Sequence, residues 1–444
     1  MFNKELETMP LEQLRKLQSE RLRSLVQRVY QQVPAYRTKL DEKGVTPADI
    51  RDIQDIHQLP FTYKTDLRDN YPFGLFAVPQ NEVIRLHCSS GTTGKPIVVG
   101  YTRHDLDVFS EVVARSLAAA GGQPGMKIQN AYGYGLFTGG LGLHYGAEQL
   151  GLCVIPISGG QTDKQLMLLQ DFQAEMICCT PSYALTLAET MKARGINPAS
   201  LNLKYAVLGA EPWTEAIRHQ IEKELNVKAT NIYGLSEVIG PGVSIEAWDE
   251  QGTGSYIWED HFFPEIVDRH TGEPLPEGEE GVLVFTTLTK EAMPVLRYWT
   301  NDITSIYYDK QGSRTHIKMA PIKGRADDML IIRGVNLFHT QVEAVIDQFS
   351  QLTPNYQLVV SRTGSMDEVM VKVEVSEQYV TGWELTDCDE PTWNAHDQVT
   401  LTIKALSKKI KDQVGLSMRI VLEKPGSIAR SEGGKLNRIL DLRK

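Results

Sequence analysis

The sequence has no apolar run long enough to cross a bilayer, so it offers no candidate membrane-spanning helix. It also lacks a basic excess. Its 46 Lys and Arg face 56 Asp and Glu, and a net charge of −10 argues against a general nucleic-acid binder. A nucleotide site needs only local positive charge and is not excluded. Cysteine is scarce. The five, at positions 88, 153, 178, 179 and 388, are odd in number and form no Cys-x-x-Cys pair. Reduced, mostly buried thiols in a cytoplasmic protein are expected. The opening Met1-Phe2-Asn3-Lys4-Glu5 has no apolar segment behind a basic one, so no secretory signal is expected. No repeat of fixed period is visible. What remains is a globular composition, 41% hydrophobic and 23% charged over 444 residues, a length for two or three domains.

One glycine-rich stretch stands out: Ser89-Ser90-Gly91-Thr92-Thr93-Gly94-Lys95-Pro96. Glycines let the backbone turn its N–H groups toward one anion, hydroxyls add donors, and Lys95 adds charge. This is the chemistry of a phosphate cradle; the plain alternative is a surface turn. It is not a Walker A loop. That motif needs a glycine where Ser89 stands and a hydroxyl residue where Pro96 stands. Residues 83–88 and 97–101 read as strands on either side, so the loop joins two strands.

Residues 9–40 place apolar side chains at helical spacing and read as one or two amphipathic helices ending near Val33-Pro34. After the glycine-rich loop, helices at 103–119, 143–150, 164–172, 182–194 and 215–225 alternate with short apolar strands at 128–132, 153–157, 176–179 and 205–209. Such alternation means a largely parallel α/β sheet with helices on its faces. From 243 to about 320 the strands shorten between turn pairs, which predicts an antiparallel β subdomain. From about 328 a smaller α+β domain begins, with strands at 329–333, 357–361 and 369–375 and helices at 341–348 and 400–414. The acidic, aromatic residues 383–396 read as an exposed loop.

If the loop cradles the phosphates of ATP, the chain also needs a purine site, a ribose site, a ligand for Mg2+, a pocket for the second substrate and a cation near the reacting phosphate. Gly209-Ala210-Glu211-Pro212 follows a strand and is small enough for a purine to lie against it. In Asn231-Ile232-Tyr233-Gly234-Leu235-Ser236-Glu237 an aromatic can cover the base and Glu237 can ligate Mg2+. Asp302 can accept ribose hydroxyls. Lys435, behind Gly433-Gly434, can reach into a cleft made by another domain. Tyr132, Tyr134, Phe137, Gly139 and Gly140 can wall a flat apolar slot. Each has an ordinary alternative, a tight turn, an exposed glutamate, a basic tail or core aromatics.

The order of these motifs resembles the acyl-adenylate-forming superfamily, and more narrowly the phenylacetate–coenzyme A ligase family. The narrower likeness lies in residues 130–142, His144-Tyr145-Gly146-Ala147-Glu148, Gly209 to Trp213, Trp258-Glu259-Asp260-His261-Phe262 and Phe285 to Glu291. The resemblance implies a large N-terminal α/β domain over 1–326, with its β-rich part at 243–320, and a small C-terminal α+β domain over 327–444 that rotates about a hinge at Asp327. It implies an acyl-adenylate formed with ATP and Mg2+, then transfer to coenzyme A. It gives catalytic roles to Lys435, Thr93 and Glu237, with Glu237 also holding Mg2+. Phosphates fall to Ser89, Ser90, Gly91, Thr92, Thr93, Gly94 and Lys95. Adenine falls to Gly209, Ala210, Glu211, Pro212 and Tyr233, ribose to Asp302 and Arg325, and Asn231, Gly234, Leu235 and Ser236 join the ATP- or AMP-binding set. Gly334 would face the coenzyme A channel, Lys64 would contact phosphate or carboxylate, and a homodimer is implied.

The chain departs from the family in places. The family reads Arg-Tyr-Arg-Thr-Arg-Asp where this sequence has Arg297-Tyr298-Trp299-Thr300-Asn301-Asp302. Ala429 replaces a proline before the C-terminal lysine motif. Relatives with a zinc knuckle carry cysteines where this chain has residues 309–316, so no structural zinc is expected although His261 and His316 remain. Two other readings stay open: adenylation with delivery to a carrier protein, and a nucleotide-binding regulator without catalysis. Transfer to a phosphopantetheinyl protein would mark the first. Tight ATP binding without turnover would mark the second.

Overall fold

The computed structural model describes residues 1–88, 96–326, 330–332, 335–363, 366–431 and 436–443. The largest sheet has nine strands. Its strands lie in the order Ile306–Tyr307, Lys318–Met319, Ser255–Ile257, Gly240–Ile245, Lys228–Leu235, Tyr205–Gly209, Met176–Cys179, Lys127–Asn130 and Cys153–Ile155. From Lys228–Leu235 to Cys153–Ile155 the pairing is parallel. A parallel strand is covered on both faces, so Met176–Cys179 is buried along its whole length, Cys178 and Cys179 included. The chain steps from Lys127–Asn130 out to Cys153–Ile155, then returns to Met176–Cys179 on the other side. That reversal opens a crevice at the carboxyl ends of the strands, where α/β proteins bind ligands.

The helix Arg103–Ala119 starts at a capping box, in which Thr102 Oγ1 accepts the Asp105 N–H (3.1 Å) and Asp105 accepts the Thr102 N–H (3.0 Å). Buried Arg115 on this helix donates to both carboxylate oxygens of buried Asp260, at 2.9 and 3.1 Å. Glu111 also accepts from Arg115. Asp260 is held well below the usual carboxylate range: burial alone would raise it, and its neighbours His261, Arg115 and His316 together pull it down further than burial lifts it. His261 and His316 belong to this network. His316 Nδ1 accepts the Glu259 N–H (3.0 Å), and His261 Nδ1 meets Thr289 Oγ1 (2.8 Å).

Three expectations change. The N-terminal helices do not end near Val33-Pro34. The helix Leu11–Gln32 stops there, and Pro34–Glu42 begins at once, because proline suits a first helical position that needs no N–H. The β-rich stretch is not one subdomain. Gly240–Ile245, Ser255–Ile257, Ile306–Tyr307 and Lys318–Met319 extend the central sheet, while Phe262–Val267, Gly281–Thr287, Tyr298–Thr304 and Gly324–Arg325 form a separate antiparallel sheet. Residues 383–396 are not an exposed loop. They include the helix Glu390–Ala395, whose Trp393 is buried and donates its indole N–H to the Leu422 carbonyl at 2.9 Å.

The C-terminal domain has its own apolar core. Its sheet runs Arg419–Glu423, Met366–Val375, Leu352–Thr363, Ile439–Asp441, with the helices His339–Ile346 and Asp397–Val414 packed on it. No helix among the described residues is long and apolar enough to cross a membrane.

Candidate active site

A cavity of about 910 Å³ opens at the carboxyl ends of the parallel strands, between the two domains. Loops after Lys127–Asn130 and Met176–Cys179 bring Tyr132 and Thr180 to one side. The turn after Tyr205–Gly209 brings Ala210, Glu211 and Pro212, and the strand Lys228–Leu235 brings Asn231, Tyr233, Gly234 and Leu235, followed by Ser236 and Glu237. The second sheet supplies Asp302 and Arg325, which lie opposite each other on paired strands. The far wall is Phe338, His339 and the segment from Leu436 to Ile439.

Asp302 is fixed from two sides. Tyr233 Oη donates to its Oδ2 at 2.6 Å, and Arg325 reaches its Oδ1 at 3.5 Å. Burial, and then Asp302 itself, raise the Tyr233 hydroxyl well above its usual range, so it stays a donor. Sequence reasoning gave this ring to the purine. The structure keeps it on the cavity wall but ties its hydroxyl to the ribose candidate and stacks the ring near Phe285, 6.4 Å between centroids.

Glu237 is 8% exposed. Tyr298 Oη donates to its Oε1 (3.3 Å), and Lys290 Nζ donates to its main-chain carbonyl (3.4 Å). Lys290 itself is 3% exposed and lies 5.0 Å from the Tyr101 ring centre. Burial pushes its amine down to about 8, against the pull of Asp105 and Glu237. The stretch Phe285 to Glu291 stands out in the sequence, but no role for Lys290 is legible there, because its placement beside Glu237 is set by the fold. The hydroxyls of Ser236 and Thr138 are 3.0 Å apart at the same end. The buried Glu237 carboxylate offers oxygen donors, which suit Mg2+.

Glu211 accepts from Ser182 Oγ (2.9 Å) and Ser182 N–H (3.2 Å), and from the Leu436 N–H of the C-terminal domain (2.6 Å). Its neighbour Ala210 has φ 70°, a left-handed conformation that costs a residue with a Cβ. Tyr132, Phe137 and Gly139 line the proposed acid slot together with Leu143 and Leu185.

Three expected site residues lie off the wall. Tyr134 turns its hydroxyl to Asn130 Nδ2 (2.9 Å) and His144 Nδ1 (3.1 Å). Gly140 and Gly209 are small for the protein's own backbone. A Cβ on Gly140 would lie 2.5 Å from the Gly133 oxygen, and one on Gly209 2.2 Å from the Ile232 oxygen. Lys64 lines the cavity. Ser89, Ser90, Gly91, Thr92, Thr93, Gly94, Lys95, Asp327, Gly334 and Lys435 lie outside the described residues.

The altered ribose strand is well packed. The Trp299 indole N–H donates to Asn301 Oδ1 at 2.9 Å, and its ring meets Phe61 edge-on with centroids 5.1 Å apart. Asn301 takes φ 69°, which asparagine tolerates better than most residues. Trp299 thus joins Phe61 and Tyr63 in an aromatic cluster beside Asn301. Among the described residues no group of three or more His, Cys, Asp or Glu is arranged to hold a metal.

The AMP-binding enzyme family model matches residues 12–289, and the model of the AMP-binding enzyme C-terminal domain matches residues 334–443. The chain is 61% identical over 445 residues to a phenylacetate-coenzyme A ligase of Thermus thermophilus, covering 100% of both chains. It is 52% identical over 439 residues to a phenylacetate-coenzyme A ligase of Escherichia coli, covering 99% of this chain and 97% of that one. Among solved structures, a 2-hydroxyisobutyryl-CoA ligase in the postadenylation state with 2-HIB-AMP superposes with a TM-score of 0.90, at 27% identity over 99% of this chain and 92% of that one. The same ligase with 2-HIB-AMP and CoA in the thioesterification state gives 0.71 at the same identity and coverage.

Proposed function

The chain belongs to the phenylacetate–coenzyme A ligase family of AMP-binding enzymes, and from that premise we propose how its cavity carries out the ligation. The reaction is ATP-dependent activation of an aryl acid, phenylacetate or a close relative, followed by transfer to coenzyme A. In the first step a carboxylate oxygen attacks the α-phosphorus and pyrophosphate leaves, giving an acyl-adenylate. In the second the coenzyme A thiolate attacks the acyl carbonyl and AMP leaves.

The residues divide the work by chemistry. The aryl ring lies against Tyr132, Phe137 and Leu143, which offer it apolar surface. The purine lies along Ala210 to Pro212. Asp302, its carboxylate oriented by Tyr233 and Arg325, accepts the ribose hydroxyls. Glu237 would hold Mg2+, which neutralises phosphate charge when bound. From motif position, Ser89 to Lys95 cradle the phosphates, Thr93 among them, and Lys435 stabilises charge at the α-phosphate. Asp327 is the hinge between a 1–326 domain and a 327–444 domain, and Gly334 borders the path of the coenzyme A arm. A homodimer in the cytoplasm is the assembly and location proposed. Light scattering tests the first.

The observation that carries this reading is the Tyr233–Asp302–Arg325 arrangement at the mouth of the parallel strands, with Glu237 across the same cavity. Free coenzyme A is preferred to a carrier protein because the full-length relatives are coenzyme A ligases. The test is pyrophosphate release with Mg-ATP across phenylacetate, hydroxyphenylacetates, benzoate and short fatty acids, each with and without coenzyme A. Turnover highest with an aryl acid, and thioester only with coenzyme A, is expected. Pyrophosphate without thioester would move the acceptor to a carrier protein. ATP binding without turnover on any acid would refute the ligase assignment.

A further inference from the structure

The helix Pro181–Ala193 is rooted in the N-terminal domain through Tyr183, Ala184, Leu187, Ala188 and Met191, all buried. Ser182, Thr186 and Glu189 follow one another at spacings of four and three, so they share a face. Ser182 holds Glu211, and Glu211 accepts the Leu436 N–H at 2.6 Å. Thr186 Oγ1 donates to the Ser431 carbonyl at 3.4 Å. The carboxylate of Glu189 accepts from Asn355 Nδ2 (3.1 Å) and Arg430 Nε (2.9 Å). Arg430 is anchored in the C-terminal domain by two 2.8 Å bonds to the fully buried Glu374.

Ser431 and Leu436 bracket residues 432–435, so both flanks of the segment that carries Lys435 are fastened to this one helix face and the adjoining Glu211. We infer that the face formed by Ser182, Thr186 and Glu189 is the seat that selects the domain arrangement used for adenylation. This rests on the ligase reading above. These contacts are polar, and the Glu189 side chain is 42% exposed, so they break without uncovering apolar core. The seat therefore holds one arrangement and can release it. The chain superposes more fully on the postadenylation structure of the hydroxyisobutyryl-CoA ligase than on its thioesterification structure.

The experiment separates the two halves of the reaction in the full-length protein. Single-turnover pyrophosphate release is measured with Mg-ATP and phenylacetate in the absence of coenzyme A. Thioester formation is measured from presynthesised phenylacetyl-adenylate and coenzyme A. Glu189→Ala should slow the first about fivefold, and Glu189→Lys, which sets two cations face to face, about tenfold or more, with the second half within about twofold of wild type. Glu189→Asp should recover most of the ratio. The thioester half reports that each variant is folded. Equal loss in both halves, or no change in their ratio, overturns the seat while leaving the ligase reading intact. A wild-type protein that releases no pyrophosphate with any aryl acid overturns both.

Discussion

The two walls of the cavity are built differently. The N-terminal wall grows out of the central sheet, and its polar groups are tied to one another: Tyr233 to Asp302, Ser182 to Glu211, Tyr298 to Glu237. The C-terminal domain meets it through scattered polar bonds, such as Thr214 to Asp347 at 2.7 Å and Arg430 and Asn355 to Glu189. Apolar contact between the domains gathers near the seam, where Phe338 packs on the cluster of Val267, Val282, Val284 and Ile303. One wall is thus made before any ligand arrives, and the other docks onto it. A site that performs two reactions in succession gains from that division, because the docking wall can leave while the nucleotide pocket keeps its shape.

Breaking the fixed wall should cost most. Beneath that wall, Arg115→Met leaves buried Asp260 without the guanidinium that bonds both its oxygens, and should lower unfolding stability by about 3–5 kcal/mol in urea denaturation. Asp302→Ala removes the proposed ribose acceptor and leaves Tyr233 and Arg325 without the carboxylate they share. Its adenylation kcat/KM should fall about 10²–10³-fold with little loss of thermal stability. An unchanged kcat/KM would show that the pocket is organised around another group.

The docking side should respond to pH. Glu343 is 2% exposed in the C-terminal domain, and burial pushes its carboxyl up to about 8, against the pull of Arg438. The folded protein keeps this proton over a range where the unfolded chain has lost it. The stability it contributes is full below the ordinary glutamate range, falls as pH rises, and is gone above about 8. Glu343→Gln should therefore leave Tm unchanged at acidic pH and raise it by about 2–4 °C above pH 8. Equal shifts at all pH values would contradict this. The smallest effect is the shift in half-reaction ratio at Glu189, which alters docking while the Tyr233–Asp302 and Tyr298–Glu237 bonds stay in place.

Much of the fixed wall was legible in the sequence because its groups sit in loops directly after strands, where motif and position coincide. Ala210 to Pro212 and Tyr233 to Glu237 fall on the wall for that reason. Cross-links between distant segments were not legible. The Tyr233–Asp302 bond spans 69 residues, the Lys290–Glu237 bond 53 and the Leu436–Glu211 bond 225. Glycine misled in two places. Gly140 and Gly209 read as clearance for a ligand, yet each is small to admit neighbouring backbone. The helix at Glu390–Ala395 was hidden because its acidic surroundings outweigh a single buried tryptophan in any local pattern.

The most direct test is rapid-quench chemistry with labelled phenylacetate, Mg-ATP and stoichiometric protein. Phenylacetyl-adenylate should accumulate on the protein when coenzyme A is withheld, and should convert to thioester with release of AMP when coenzyme A is added. Thioester formed with ADP and phosphate in place of AMP and pyrophosphate would contradict the two-step use of one cavity.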